Sequence, residues 1–154
     1  MNADLIIRHA RKDDLVALIA MFAADDVGGH GDTVDPGALP AYRRAFETIA
    51  ASPDQTLYVA ELDGEVVGTF QTSINTTLTG RGASFMIIEA VQTRDDMRGK
   101  GIGARMIELC IAEARARGLP RVQLISNAKR KDAHRFYERL GFEPSHLGFK
   151  MALK

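Results

Sequence analysis

The sequence predicts one mixed α/β domain over residues 1–154, with a central sheet between layers of helices. Runs rich in β-forming residues alternate with stretches of helical periodicity, and the second half reads strand, loop, helix, strand, helix. That order implies a right-handed crossover between two parallel strands, whereas the earlier strands are joined by short turns that favour antiparallel pairing. We therefore expect a three-layer fold whose mixed, mostly antiparallel sheet contains one locally parallel strand pair.

The N-terminal region predicts a short strand followed by two helices. Leu5–His9 has the composition of a strand, and apolar residues then recur at helical spacing between positions 15 and 22. Asp25–Pro36 is rich in glycine and aspartate and is predicted to be a loop. The second helix is indicated by four apolar or aromatic residues at helical spacing, Leu39, Tyr42, Phe46 and Ile49.

Three strands with short connections are predicted next. Gln55–Leu62 and Glu65–Ser73 are separated by Asp63-Gly64, which is the strongest short hairpin signal. A turn at Gly80-Arg81-Gly82 then leads into a third strand, Ser84–Thr93. We expect these three strands to form a β-meander.

The second half predicts the crossover and the last helix. A helix over Ile102–Arg117 precedes a strand over Arg121–Ser126. The following helix is expected to bury one face and to end at Gly141. That face consists of Ala133, Phe136, Tyr137 and Leu140. Phe142–Lys154 is expected to hold one or two final strands.

Composition restricts the class of protein. With 45% hydrophobic and 26% charged residues, the chain matches globular domains and excludes disordered or collagen-like ones. The single cysteine, Cys110, cannot form an internal disulfide, and its apolar helical context predicts a packed thiol. The longest apolar run, Leu15–Ala24, is too short to span a bilayer, and the N-terminus lacks the pattern of a signal peptide. We expect a cytoplasmic protein without a membrane partner.

The formal net charge of zero conceals an uneven distribution. Residues 1–92 carry 6 basic and 13 acidic side chains, net −7, whereas residues 93–154 carry 14 basic and 7 acidic, net +7. A basic half of this size fits either nucleic acid or a small molecule that bears phosphate.

A glycine-rich loop favours the phosphate-bearing small molecule. Arg98-Gly99-Lys100-Gly101-Ile102-Gly103 lies between a predicted strand and a predicted helix, where backbone amides and the helix N-terminus attract anions. The spacing fails the P-loop pattern, and it meets the dinucleotide fingerprint without the acidic residue expected about twenty positions later. A glycine turn that serves only tight packing is the structural alternative.

The loop and two later segments resemble the GNAT superfamily of N-acetyltransferases. Residues 98–103 match its signature Arg/Gln-x-x-Gly-x-Gly/Ala, and Ile88–Ala104 resembles its strand, loop and helix throughout. Asn127 ends the next predicted strand, and Ala133–Phe142 resembles the family's final helix with its FYE-x-LGF ending. The resemblance implies a GNAT-like fold and acetyl-CoA as cosubstrate.

The same resemblance implies a set of coenzyme A contacts. Backbone groups of the glycine loop would hold the pyrophosphate, and Val91 and Thr93 would pair with the pantetheine arm as a strand does. Asn127 would hydrogen-bond that arm or, alternatively, its own local backbone. Arg98 and Lys100 would add charge or remain solvated. The full set is Val91, Thr93, Arg98, Gly99, Lys100, Gly101, Ile102, Gly103, Ala104, Asn127 and Tyr137.

Two residues are implied to act in catalysis. Tyr137 would be the general acid for the departing CoA thiolate, and its structural alternative is a core aromatic residue. Glu89, in the apolar context MIIEAV, would be the general base for the amine, with a hydrogen-bonded or edge-exposed glutamate as the alternative. His134 could contact phosphate, although a solvated helix histidine is the plainer interpretation.

The predicted reaction is direct attack of a primary amine on the thioester in a ternary complex. The Asp-rich loop, with Asp25, Asp26, His30, Asp32 and Asp35, lies where the family builds its acceptor site and favours a cationic small-molecule or peptide acceptor. The spacing of these residues matches neither an EF-hand nor an H-x-x-x-H pattern, so no metal is expected.

The sequence leaves two other functions open. The domain could be a non-catalytic acyl-CoA-binding sensor. Nucleic-acid binding would use Lys129, Arg130 and Lys131, but these lack neighbouring exposed aromatic residues, so no nucleic-acid partner is expected. The family often dimerises, which leaves a homodimer open.

Overall fold

The computed structural model describes residues 4–25 and 30–154 and contains one five-stranded sheet. The strands lie in chain order across the sheet, and the first four pair antiparallel, whereas the last two pair in parallel. The predicted mixed sheet is therefore confirmed. The strands are β1 (Ile6–His9), β2 (Gln55–Leu62), β3 (Glu65–Thr76), β4 (Ser84–Thr93) and β5 (Val122–Leu124).

Within the described residues, four α-helices and one short helical turn accompany the sheet. The helices follow the predicted positions closely, and α3 is a four-residue turn whose Gly80 and Arg81 have positive φ. Among the described residues, no helix is both long and apolar enough to cross a membrane. The helices are α1 (Leu15–Ala23), α2 (Leu39–Ala51), α3 (Thr79–Gly82), α4 (Ile102–Ala116) and α5 (Lys131–Arg139).

The hydrophobic core lies mainly between α4 and one face of the sheet. Ile102, Met106 and Cys110 recur every four residues on α4, and all three are buried against Phe70 and Ile88 of the sheet. Burial raises the pKa of the Cys110 thiol to about 12, so this cysteine is a packed thiol as predicted.

The opposite face of the sheet is covered by the N-terminal helices. Leu15, Leu18 and Ile19 of α1 are buried and lie outside the α4 cluster, and α1 contacts β3 while α2 contacts β2. Val59 and Ala60 are successive residues of β2, so their side chains point to opposite faces of the sheet. Both residues are fully buried, which requires that each face be covered. This confirms the three-layer arrangement.

Two predictions for the second half need correction. The predicted strand over Arg121–Ser126 is shorter because its pairing with β4 ends at Leu124. The one or two strands expected in Phe142–Lys154 are absent, since every residue from 140 to 154 is described and none is in a strand. No backbone hydrogen bond joins residues 146–154 to other described backbone groups, so the segment lacks the ladder that defines a strand.

Candidate active site

The parallel pairing of β4 and β5 stops halfway along β4. It runs from Met86 with Val122 to Ile88 with Leu124, and no strand among the described residues pairs with residues 89–93 of β4 on that side. Their backbone donors and acceptors are therefore available to an extended ligand, just as an edge strand is available to another strand.

A β-bulge marks the point where the pairing with β5 ends. On the other side of β4, the pair Gln71–Glu89 is followed by Thr69–Gln92, so Phe70 alone faces Ala90 and Val91. Ala90 has a φ of 53°, which is unusual for a residue with a side chain. The extra residue bends β4 and frees backbone groups from the regular ladder.

The glycine loop leads directly from this strand into α4. Gly99 and Gly101 have φ values of 77° and 81°, a region that side chains disfavour. The first helical bond of α4 runs from the Arg105 amide to the Gly101 carbonyl, 3.1 Å away, so the amides of residues 102–104 have no acceptor within the helix. Unpaired amides and the positive end of a helix dipole attract negative charge.

Gly103 is needed for close packing between two helices. A Cβ at this position would lie 3.3 Å from Cζ of Phe136 on α5 and 3.9 Å from Oγ1 of Thr93 on β4. The start of α4 therefore approaches α5 closely, and both elements border one cleft.

That cleft has a volume of about 590 Å³. Its size is in the range of small-molecule sites. It lies between the second half of β4, the glycine loop, the first turn of α4 and the start of α5. Eight of the predicted coenzyme A contacts line it, namely Val91, Thr93, Arg98, Gly99, Gly101, Ile102, Gly103 and Tyr137.

The lining of the cleft carries a positive charge. Four basic residues, Arg98, Lys129, Arg130 and Lys131, line it together with one acidic residue, Asp132. From the sequence alone, the last three of these basic residues are a candidate only for a nucleic-acid patch. The signal that could have assigned them to the cleft is their position between the end of a strand and the start of a helix, opposite the glycine loop.

Tyr137 is half-buried at the wall of the cleft. Its ring meets those of Phe136 and Phe142 edge-on, with centroids 5.1 and 5.8 Å away. Burial raises the pKa of Tyr137 above its usual value of 10, and the nearby positive charge of Arg130 opposes this shift. The hydroxyl is therefore held in its protonated, hydrogen-bond-donating form at neutral pH.

Four predicted site residues do not line the cleft. Lys100, Ala104, Asn127 and Glu89 are absent from its lining. The Asn127 side-chain oxygen accepts a 2.9 Å hydrogen bond from the Lys129 amide, which is the local backbone bond that the sequence offers as the alternative to a cosubstrate contact. The Glu89 side chain is exposed on β4, so its carboxylate does not bear the burial cost that its apolar sequence context suggested.

The His134 side chain hydrogen-bonds to the backbone of a neighbouring segment. Its Nε2 lies 2.8 Å from the carbonyl oxygen of Asn127, so this ring nitrogen donates a hydrogen bond that ties α5 to the segment after β5. The histidine therefore helps to position the basic segment that lines the cleft.

The acidic loop before α2 is tied to its surroundings by hydrogen bonds. Tyr42 donates a 2.6 Å hydrogen bond to Asp32, and Asp35 accepts one from the Gly37 amide. Asp25 forms a 2.7 Å ion pair with Arg130 of the cleft, which connects the segment after α1 to the basic segment after β5. Asp26 lies outside the described residues.

Gln92 of β4 makes a second connection to the N-terminal helices. Its side-chain amide donates a 2.8 Å hydrogen bond to the carbonyl oxygen of Met21 on α1.

The described features fit a cosubstrate that carries both phosphate and an extended amide arm. The basic loop and the helix N-terminus suit the phosphates, and the unpaired edge of β4 suits an arm that pairs as a strand. Tyr137 provides a protonated donor beside that edge. Such an arrangement can hold an acyl thioester and assist its thiol as it leaves.

Comparison with known proteins agrees with this arrangement. The family model described as the acetyltransferase (GNAT) family matches residues 31–142. The aminoalkylphosphonate N-acetyltransferase of Salmonella typhimurium is 35% identical over 150 residues, which cover 96% of this chain and 90% of that protein. An L-methionine sulfoximine/L-methionine sulfone acetyltransferase of Pseudomonas aeruginosa is 29% identical, covering 90% of this chain and 80% of that one.

A solved structure has nearly the same fold over the full chain. It is described as a transcriptional regulator from Bacillus halodurans, is 36% identical, and superposes with a TM-score of 0.93, covering 97% of this chain and all of that one. The family match spans the glycine loop, the bulged β4 and Tyr137. The chain therefore belongs to the GNAT family and is an N-acetyltransferase.

Proposed function

We propose that this protein transfers an acetyl group from acetyl-CoA to the primary amine of a small molecule by direct attack in a ternary complex. The observation that carries the proposal is the basic cleft of about 590 Å³ that opens where β4 loses its parallel partner. The cleft joins a phosphate-binding loop to an unpaired strand edge, and both are needed for one elongated, anionic cosubstrate.

The residues that would hold acetyl-CoA divide into two groups. The amides of residues 102–104, with Arg98 and the basic segment after β5, would bind the pyrophosphate. The backbone of Val91 and Thr93 would pair with the pantetheine arm. Lys100, Ala104 and Asn127 remain in the proposed contact set, with Asn127 offering its side-chain amide nitrogen while its oxygen bonds locally.

When bound, acetyl-CoA supplies an activated thioester, and transfer forms one C–N bond as one C–S bond breaks. The amine gives up a proton and the departing sulfur gains one. A backbone amide near Val91 would polarise the acetyl carbonyl, a role for which the Ala90 bulge provides backbone groups outside the regular ladder. No serine or cysteine nucleophile is required, in keeping with the buried thiol of Cys110.

Glu89 is proposed as the general base. Its exposed carboxylate on β4 precedes the bulge by one residue, within reach of solvent that can relay a proton. The need for a base depends on the amine. Deprotonating an amine of pKa ~10.4 at pH 7 costs about 4.6 kcal/mol, whereas an amine near pKa 8 costs about 1.4 kcal/mol.

For the acceptor we propose a cationic amine, because residues 1–92 carry a net charge of −7 and contribute the loop around Asp32 and Asp35. An amine that also carries an anionic phosphonate is the second candidate. It is favoured by the 35% identity to the Salmonella aminoalkylphosphonate N-acetyltransferase over almost the whole chain.

The test is release of CoA thiol from acetyl-CoA by the purified protein across a panel of amines. The panel contains a polyamine, an aminoalkylphosphonate and a neutral amino acid, with acetyl-CoA alone as the control. Amine-dependent thiol release supports the proposed function, and the highest kcat/KM identifies the acceptor class. Tight binding of acetyl-CoA without release for any amine would instead support the acyl-CoA sensor.

A further inference from the structure

Three polar side chains lie near one another on the sheet face that carries α1 and α2. Gln71 of β3 is directly opposite Glu89 of β4, and Gln92 follows Glu89 on the other side of the bulge. Ile88 packs in the core beneath α4, so its neighbour Glu89 and the paired Gln71 face the other way. Gln92 lies on that face too, because its side chain reaches Met21 of α1. Glu89 is exposed and both glutamines are half-buried, so the three remain accessible.

Both glutamines have their amide nitrogen engaged and their carbonyl oxygen available. Nε2 of Gln71 donates a 3.2 Å hydrogen bond to Oε1 of Gln55 on β2, and Nε2 of Gln92 donates to the Met21 carbonyl. None of the described residues donates a hydrogen bond to Oε1 of either glutamine or forms an ion pair with Glu89. Because β3 lies between β2 and β4, the Gln71 amide with its nitrogen toward β2 has its oxygen toward β4.

Three oxygen acceptors without donors suit a ligand group that carries donors only. A primary ammonium has three N–H donors and no acceptor, whereas a hydroxyl or a carboxylate would bring lone pairs against the carbonyl oxygens. A primary aliphatic amine, with a pKa of ~10.4, is in this form at neutral pH. The single carboxylate balances its charge, and the two amide oxygens add hydrogen bonds without a second negative charge.

Gln92 connects this group of side chains to the cosubstrate cleft. It lines the cleft of about 590 Å³ and also holds α1. Glu89 and Gln92 flank the bulge at Ala90 and Val91, whose backbone is proposed above to polarise the acetyl carbonyl. A nitrogen held by the three oxygens would therefore lie beside the expected position of the thioester.

We propose that Gln71, Glu89 and Gln92 form the subsite that binds the ammonium group of the acceptor and selects primary amines. The inference rests on the proposed function, because it places the acceptor nitrogen next to acetyl-CoA. Both proposed acceptor classes carry this group. When one proton passes from the ammonium to the Glu89 carboxylate, the two amide oxygens still hold the neutral amine by its remaining N–H groups. An N-methylated amine lacks these donors and leaves a carbonyl oxygen unpaired.

The first test measures binding without turnover. The wild-type protein is saturated with CoA, which has no acetyl group to transfer, and is titrated at pH 7 with n-butylamine or with N,N-dimethylbutylamine. Nitrogen–proton NMR spectra follow the side-chain amides of the glutamines. n-Butylamine should shift the signals of Gln71 and Gln92 and bind at least about 10-fold more tightly than the dimethyl compound, which has lost two N–H donors.

The second test removes one carbonyl oxygen at a time. Gln71→Met and Gln92→Met keep a side chain of similar length, and each should weaken n-butylamine binding about 10-fold while changing the affinity for the dimethyl compound less. Gln123→Met is the matched control. Gln123 lies on the neighbouring strand β5, but its Oε1 already accepts a 3.1 Å hydrogen bond from Arg121, so both affinities should stay unchanged.

The outcomes separate the subsite from the transfer reaction. Equal wild-type affinities for the two amines, or variants that weaken both amines equally, overturn the subsite, since a purely structural role would not change the preference. Amine-dependent thiol release without this binding preference overturns the subsite alone. Selective binding of n-butylamine without thiol release for any amine of the panel supports the subsite and overturns the proposed reaction.

Discussion

Replacing Tyr137 by phenylalanine removes one hydroxyl from the cleft and leaves the packing of the ring unchanged. The ring contacts with Phe136 and Phe142 are edge-on and do not involve the oxygen. The hydroxyl has no hydrogen bond to any residue that the structure describes, so the variant leaves no buried partner unsatisfied. We expect the free energy of unfolding to change by less than about 0.5 kcal/mol.

The expected loss in rate follows from the protonation of Tyr137. A phenol of pKa ~10 that protonates a thiolate of pKa ~8.5 does so about 2 kcal/mol uphill, and burial raises the pKa of Tyr137 further. The hydroxyl is therefore expected to act by donating a hydrogen bond to the developing sulfur anion. Hydrogen bonds to charged groups contribute about 1.5–3 kcal/mol, so kcat should fall roughly 10- to 150-fold.

The assay is thiol release at saturating amine and acetyl-CoA, recorded between pH 6 and pH 10. Because the raised pKa keeps Tyr137 protonated, the wild-type kcat should show no decline from this group below pH 10. Tyr58→Phe is the matched control. Tyr58 is also partly buried with a raised pKa, but it stacks on Phe70 away from the cleft, so its removal should leave kcat unchanged. A Tyr137→Phe enzyme with wild-type kcat would exclude Tyr137 from the chemistry.

Three further perturbations address the base, the cleft and the fold. Glu89→Gln should lower kcat/KM about 100-fold for a strongly basic amine and change the acidic limb of the pH–rate profile. An unchanged profile would show that Glu89 is a solvated side chain on β4 and not the general base. Gly103→Val should weaken acetyl-CoA binding at least ~10-fold and lower the free energy of unfolding by about 1–3 kcal/mol, because the valine side chain must displace Phe136. Gly103→Ala should lose less affinity and less stability. Equal acetyl-CoA affinities of both variants and the wild type, measured by titration calorimetry, would contradict the packing argument. Asp14→Asn should cost about 1.5–3 kcal/mol in urea unfolding, since Asp14 accepts hydrogen bonds of 2.8 and 3.0 Å from Arg8. Arg8 lowers the pKa of Asp14 in the folded protein. The stabilisation from Asp14 should therefore be complete above the usual carboxyl pKa near 4 and should be lost as the pH falls through the lower pKa of the folded state. An Asp14→Asn variant that unfolds in acid at the same pH as the wild type would refute this.

Local signals in the sequence predicted most of the fold. The Asp63-Gly64 turn, with φ values of 51° and 80°, joins β2 and β3 as a two-residue hairpin should. The order of elements from β4 to α5 predicted the parallel pair because a right-handed crossover leaves few other arrangements. These features depend on neighbours within a few residues or on chain connectivity, which a sequence displays directly.

The C-terminal tail, residues 146–154, shows where such reasoning fails. The alternation from Leu147 to Leu153 is a real strand pattern, but a strand also needs a partner, and the described chain provides none for it. The period of the side chains can be read from the sequence, whereas the availability of a sheet edge is a property of the tertiary and quaternary structure.

The sequence by itself determined the fold class, because periodicity and turn signals are local. Its resemblance at the glycine loop and the last helix implied membership of the GNAT family, which the family match confirms. Only the tertiary structure decided how the site is assembled. It showed that the basic residues after β5 face the same cleft as the glycine loop, and that Arg130 pairs with Asp25 from the other half of the chain. It also showed that Glu89 is exposed. These contacts join segments that are far apart in the chain, and neither they nor the bulge at Ala90 and the end of pairing at Ile88 leave a periodic signal in the sequence.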